Sequence, residues 1–460
     1  MTTDYSSADG VQLPEIRTEL PGPKSRAVDG LRFEASGLAA WARGRIQVVF
    51  ERGDGPFLTD VDGNRFLDLT SSFGVASLGY APPAVARAID KQASRLQHIM
   101  AGIFPHDLYP QLLAALAERF GRSASPEVCV VGSGAEAVEV ALKIGLRSSG
   151  RAGILSFTGA FHGQTLGSLP VNGIAEFRVP FLPLLGGNVT WAPYPNQYRP
   201  PARTSDVLDF SLSCVEQALR GMNSVPVGAV VVEPVQNPSG YIVPPRGFLA
   251  GLAQLCRANG CVLVVDEIFT GAGRCGEWLV CDSEDVKPDI VCVGKSATGG
   301  MPLAATIADH RHMATIVTES LVPLHGSTYM GNPVSCASAL ACLHEIATQG
   351  LIERSRNLGK SALTYLRERL NGHSGIGDIR GLGLAIAIEF VTDAERKTPA
   401  PNTAMRVASG LFGKGVIVLI SGLPHLNVIT IAPAINIGEQ QLEWGLQEIV
   451  DTIRAIAGEA

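Results

Sequence analysis

Residues 261–274, CVLVVDEIFTGAGR, decide the fold. Five apolar residues, Cys261 to Val265, run without a break into two adjacent carboxylates, Asp266 and Glu267. A run this short, apolar and valine-rich predicts a strand buried on both faces of a sheet. Ionised carboxylates are costly in such a place unless something cationic meets them. The stretch therefore predicts a positive group waiting at the carboxyl end of the strand.

Working outward, short β-branched runs alternate with helical stretches from about Val128 to Ala308. The strand candidates are EVCVVG, GILSF, NVTWA, VGAVVVEP, CVLVVDE, DIVCVGK and LAATIAD. Amphipathic segments such as EAVEVALKIGLRSS and PRGFLAGLAQLCRANG fall between several of them. The alternation predicts an α/β fold, a parallel sheet covered by helices on both faces, with ligands beyond the carboxyl ends of the strands. The flanks differ. GPFLTDVDGNRFLDLTSSFG reads as a hairpin about Asp62-Gly63. LIERSRNLGKSALTYLRERL is an amphipathic helix, GLGLAIAIEF and VIVLI are strands, and EQQLEWGLQEIVDTIRAIA is a closing helix. The expected layout is an extended arm (1–40), a small α+β domain built from both chain ends (41–75 plus 345–460), and a large domain between them (76–344).

Bulk properties exclude several classes of function. A net charge of −6 leaves no electrostatic footprint for nucleic acid. No run approaches the roughly 18 apolar residues of a membrane helix. The first residues lack the basic and apolar regions of a secretory signal. Nine cysteines, an odd count without a CxxC pair, point to a reducing cytoplasm and to no metal site.

Four motifs could carry chemistry. Gly132-Ser133-Gly134-Ala135-Glu136-Ala137 is a GxGxxA pattern between a strand and a helix. A dinucleotide site would place an acid about 20 residues on, but GILSFTG ends in Thr158 and Gly159. A helix start still offers free N–H groups to a phosphate. Lys295 follows a buried run and sits among Gly294, Ser296, Thr298, Gly299 and Gly300, where a desolvated lysine becomes an amine nucleophile. LHGSTYMGNP (324–333) sets Ser327 and Thr328 in a polar loop, and FTGAFHGQTLGSL places Phe161 and His162 just after a strand.

In this order the motifs resemble the class III aminotransferases, which are fold-type I pyridoxal-phosphate enzymes. The resemblance runs from about residue 45 and includes GSGAEAVEVALK, FHGQTLG, VVEPVQNPSG, VVDEIFTGAGR, GKSATGGMPLAA, HGSTYMGNP and IRGLGLAIAIE. It implies a mostly parallel central sheet and pyridoxal 5'-phosphate as cofactor. Asp266 would face the protonated pyridine nitrogen, so the cation at the strand end comes from a ligand. Lys295 would form the Schiff base and then shuttle a proton. Gly134, Ala135 and Ser133 would hold the phosphate, Phe161 and Ile268 would press on the two ring faces, and His162 would lie beside the cofactor. Thr328 would reach the phosphate in a neighbouring subunit, making the enzyme a homodimer. Glu233 matches a substrate-side glutamate that often partners an arginine.

Three departures bear on substrate. Gln164 and Thr430 stand where many relatives carry carboxylate-gripping arginines, and Phe269 stands where a glutamine is common. A neutral side chain cannot replace a bidentate arginine–carboxylate pair. The expectation is a ping-pong aminotransferase acting on a primary-amine metabolite (an amino sugar, polyamine or other omega-amine) rather than an ornithine-like amino acid. A decarboxylase or aminomutase of the same fold is the alternative. A non-catalytic cofactor-binding regulator would need a basic DNA-binding segment, and neither terminus shows one.

Overall fold

The computed structural model describes residues 11–28, 48–221 and 225–457. Strands β1 (Phe50–Asp54), β2 (Phe57–Asp60) and β3 (Arg65–Asp68) come first, β2 and β3 being antiparallel around the expected turn. Asp60 closes that turn by accepting the N–H groups of Asp62 and Asn64. The same turn tethers the arm. Asn64 Oδ1 accepts from the N–H groups of Arg17 and Thr18 at 2.6 and 2.9 Å. The Asp62 carboxylate accepts from those of Lys24 and Ser25 at 2.7 and 2.9 Å. Within the arm Pro23–Ala27 forms a short helix, and residues 1–10 and 29–40 lie outside the described residues.

The central sheet contains β4 (Pro126–Val131), β5 (Gly153–Phe157), β6 (Asn188–Ala192), β7 (Val227–Val232), β8 (Val262–Asp266), β9 (Ile290–Val293) and β10 (Ala304–Asp309). Their spatial order is β4-β10-β9-β8-β7-β5-β6. β8 is the middle strand, parallel to β7 and β9, and all five of its residues are buried. Its alternation explains the unbroken apolar run. Val262 and Val264 join the core under the helix Gly134–Ser149, while Leu263 and Val265 join the core that includes Phe248, Leu252 and Cys256 of the helix Phe248–Asn259.

One strand departs from the expected parallel order. β10 runs antiparallel to both β4 and β9. The link from β9 to β10, residues 294–303, holds only the 3-10 turn Lys295–Ala297. A parallel return needs a crossover of a dozen or more residues, so this chain can only turn back.

Beyond the central sheet come β11 (Ile376–Leu382), β12 (Ala385–Asp393), β13 (Thr398–Pro399), β14 (Val416–Ile417), β15 (Leu419–Ser421) and β16 (Val428–Ile431). One antiparallel sheet has the order β11-β12-β16-β15, with β13 on β12. β14 pairs in parallel with β3, so residues from both chain ends share a sheet with β1 and β2. The closing helix Glu439–Ala457 buries Leu442, Leu446, Ile449, Val450 and Ile453, a single stripe at helical spacing.

The helix Leu351–Arg369 approaches the link between β11 and β12 closely at Gly359. A methyl group added there would lie 1.9 Å from the carbonyl oxygen of Gly383. Backbone cannot yield as a flexible side chain does. Gly359→Ala should lower stability by about 3 kcal/mol or more, read from the denaturant midpoint. Gly413→Ala, where an added methyl meets nothing within 4 Å, should leave the midpoint unchanged.

Candidate active site

The carboxyl ends of β4, β5, β7, β8 and β9 open on one side of the sheet, around a cavity of about 390 Å³. Gly134 and Ala135 line it from the helix start after β4, and Phe161 and His162 from the loop after β5. Glu233 follows β7, Asp266 ends β8 with Ile268 beyond it, and Lys295 follows β9.

Asp266 has a partner within its own chain. His162 Nδ1 lies 2.8 Å from its Oδ2, both side chains being buried, and Asp266 Oδ1 accepts the N–H of Ile268 at 3.1 Å. The imidazole is thus a hydrogen-bonding partner for this carboxylate within the chain, beside the cation expected from a ligand. His162 is itself set by its backbone N–H, which donates to Asn172 Oδ1 at 2.6 Å. Its Nε2 is buried without a partner among the described residues.

Lys295 has a backbone φ of +38°, in the left-handed region that non-glycine residues seldom adopt. Such strain costs on the order of 1–3 kcal/mol and gathers at functional sites. Burial lowers the proton affinity of its amine, Asp266 and Glu233 oppose that shift, and Arg274 adds to it. The amine lies 5.2 Å from the centre of the Phe269 ring.

Among the described residues no arginine meets Glu233. Its two oxygens accept the backbone N–H groups of Phe161 and Asn237 at 2.8 and 3.2 Å, so it braces the loop that carries Phe161. Burial, with Asp266 adding to it, pushes its carboxyl up to about 7.

At the helix start Ser133 is the N-cap, its Oγ accepting from the N–H of Glu136 at 3.3 Å. A methyl added at Gly134 would lie 2.9 Å from Ile268 Cδ1, so only glycine allows the helix start and Ile268 this close. Four expected site residues do not line the cavity within this chain. Ser133 caps the helix, Gln164 and Thr328 are exposed on loops, and Thr430 is buried in β16. Thr430 hydrogen-bonds the hydroxyl of Tyr241, whose ring lies 4.9 Å from that of Phe269. Thr430 thus stands behind the cavity wall, linked to it through Tyr241 and Phe269.

The residue types also hid Arg274. Its side chain is fully buried and, among the described residues, hydrogen-bonds only the carbonyl oxygens of Pro433 and Leu384, leaving Nε and Nη2 without partners. It stands behind the cavity wall: a methyl on Gly74 would touch Phe269 Cε2 at 3.1 Å and Arg274 Nε at 4.0 Å. Nothing local in GAGR marks such burial.

The donor set fits pyridoxal phosphate. A carboxylate held by an imidazole can take a ring N–H, a desolvated amine can bond a carbonyl carbon, and a helix start presents N–H groups without intrahelical acceptors.

Glu267, adjacent to Asp266, is satisfied differently. It accepts from Thr270 Oγ1 and from the N–H of Cys281, and burial pushes its carboxyl up to about 7 from an ordinary 4.5. The folded chain therefore binds more protons than the unfolded chain between these values, and stability falls as pH rises through them. Glu267→Gln keeps both contacts without the charge. It should be more stable than the wild type at pH 8 by about 2–3 kcal/mol, with the gap closing towards pH 5, as read by denaturation at both pH values.

Comparison with known proteins agrees with this geometry. The family model for aminotransferase class-III matches residues 39–453. The chain is 35% identical over 416 residues to acetylornithine aminotransferase of Methanopyrus kandleri, covering 89% of this chain and 95% of that protein. It is 31% identical over 411 residues to 5-aminovalerate aminotransferase of Pseudomonas aeruginosa, covering 89% and 94%. A pyridoxal-phosphate-bound amine transaminase from an uncultivated Pseudomonas species superposes with a TM-score of 0.85 at 28% identity, over 92% of this chain and 97% of that one. With its buried lysine and aspartate on one cavity, and this likeness over nearly its whole length, the chain belongs to the class III aminotransferases and uses pyridoxal phosphate.

Proposed function

We propose that the chain moves an amino group by a ping-pong mechanism between an amino donor and a keto or aldehyde acceptor, one of the pair being a primary-amine metabolite. The observation that carries the substrate class is the cavity lining: among the described residues it holds two carboxylates, one lysine and one histidine, and no arginine. Such a wall suits a substrate recognised by its amine and apolar body rather than by a second carboxylate. The relatives named for acetylornithine and 5-aminovalerate support a terminal amine as the group transferred.

When bound, pyridoxal phosphate supplies an electron sink for the carbon that bears the substrate nitrogen. Asp266, oriented by His162, would hold the proton on the ring nitrogen. Lys295 would present an amine of reduced proton affinity, able to condense with a carbonyl group with loss of water and, once displaced by an incoming amine, to carry a proton at Nζ. Phe161 and Ile268 would cover the two faces of the ring and exclude water, while Gly134 and Ala135, beside Ser133, would donate N–H groups to the phosphate. Gln164 and Thr430 fill the positions of the absent arginines.

The same reading includes a homodimer. Thr328 is exposed here and serves the phosphate in a second copy's site. Around it lies apolar surface fit for a partner: Ile103, Phe104 and Tyr329 are 61%, 62% and 68% exposed. The His98 and Tyr329 rings lie 5.1 Å apart, tilted to each other, and an added methyl on Gly102 would meet Met330 Sδ at 3.5 Å, so these segments form one patch. We further propose the large domain 76–344, the small domain 41–75 plus 345–460, and a cytoplasmic location, to which nine unpaired cysteines are suited. Among the described residues no helix is long and apolar enough to cross a membrane.

The test is a donor–acceptor screen on the purified holoenzyme, following amine-dependent change in cofactor absorbance. Primary amines lacking an α-carboxylate should serve as donors or, as aldehydes, acceptors. Release of carbon dioxide would instead assign decarboxylation, and exclusive use of dicarboxylic amino acids would overturn the substrate class. Lys295→Ala and Asp266→Asn should each lower turnover by about 10³-fold or more, and only Lys295→Ala should abolish covalent capture of cofactor by borohydride.

A further inference from the structure

The phosphate-facing helix start carries an acid that ought to oppose it. Glu136 lies in the first turn of the helix Gly134–Ser149, and its Oε2 accepts the N–H of Gly132 at 2.8 Å. A carboxylate there suits the helix dipole, yet it repels a phosphate bound at the same place. The loop that carries Thr328 answers this. His325 Nε2 lies 3.1 Å from Glu136 Oε1, and His325 Nδ1 lies 3.1 Å from Lys143 Nζ. An ammonium can only donate, so Nδ1 accepts, and the ring proton sits on Nε2, directed at Glu136. Lys143 lies two turns along the same helix and also donates to the carbonyl of Leu324 at 3.4 Å. The His325 side chain is only 9% exposed, so the contact is sheltered from water.

We propose that His325, polarised by the Lys143 ammonium, is a positioning residue whose Nε2–H bond turns and screens the Glu136 carboxylate and so keeps the helix start electropositive for the cofactor phosphate. The proposal rests on the reading that Gly134 and Ala135 hold that phosphate. It also gives the segment 324–328 a second duty: the loop that offers Thr328 to a neighbouring site tunes the charge of its own.

The test is the dissociation constant for pyridoxal phosphate, measured by absorbance titration of the full-length chain freed of cofactor, with melting temperature followed in parallel. His325→Ala should raise the constant about 5- to 10-fold, the size expected for a partly sheltered charge interaction. Glu136→Gln should bind no more weakly than wild type. The double variant His325→Ala/Glu136→Gln should return to within about twofold of wild type, a rescue that a purely structural role for His325 could not produce. If His325→Ala does not fold, Lys143→Met with and without Glu136→Gln poses the same question at a surface position. Wild-type affinity in His325→Ala, or equal weakening in His325→Ala and the double variant, overturns the proposal. Pyridoxal lacking the phosphate separates the two readings. If wild type binds it as tightly as the phosphate ester, the cradle itself is wrong; if it discriminates while single and double variants behave alike, only this inference falls.

Discussion

A carboxylate at the end of a strand buried on both faces needs a partner, and the contact between Asp266 and His162 Nδ1 provides it. The site is assembled around that pair. His162 is placed by Asn172, Phe161 beside it is braced by Glu233, and Ile268 beyond Asp266 closes on Gly134. The adjacent Glu267 shows the other solution to the same problem. It takes a hydroxyl and an N–H as donors, and burial favours its neutral form. Two neighbouring acids thus divide the work: one faces the cavity, and the other holds the segment that follows the strand.

The wall behind the cavity is built in layers. Phe269 faces the cavity, Tyr241 packs on it, and Thr430 holds the Tyr241 hydroxyl. Arg274 lies in the same wall, its guanidinium hydrogen-bonded to the carbonyl groups of Pro433 and Leu384. That cation acts on Lys295 through space and in the same direction as burial, towards an amine that gives up its proton. The lysine is therefore made reactive by its surroundings on two sides, and by a main-chain conformation few side chains adopt.

Features that repeat locally were legible in the residues. The strands of the central sheet, the hairpin about Asp62-Gly63, the helix Leu351–Arg369 and the closing helix all announce themselves by period or turn chemistry. The residues joined by the fold across long stretches of chain were not. His162 and Asp266 are 104 residues apart, and Glu136 and His325 are 189 apart. No spacing rule encodes such pairs, and only the family resemblance brought the first pair near one cofactor. The reversal of β10 was missed because a strand's direction is set by the length of the link before it, not by its own composition. The helix Pro333–Thr348 was missed for a different reason. Its Ala, Ser and Cys residues are buried on several sides, so no polar face marks its period.

The two-sided burial of β8 has one more consequence. With valine or leucine on either face, sliding the strand by one position would simply exchange its two cores, and no solvent-facing side chain would object. Alignment must come from the ends. At the entry, Asp289 Oδ2 accepts the N–H of Leu263 at 2.9 Å, and at the exit the N–H of Glu267 reaches the carbonyl of Cys292 at 2.9 Å. A slip one way drags acids into the dry interior, and a slip the other way strips Asp289 of its donor. The residue that serves the chemistry is therefore also a stop for the strand, so misalignment and loss of the catalytic centre are a single event.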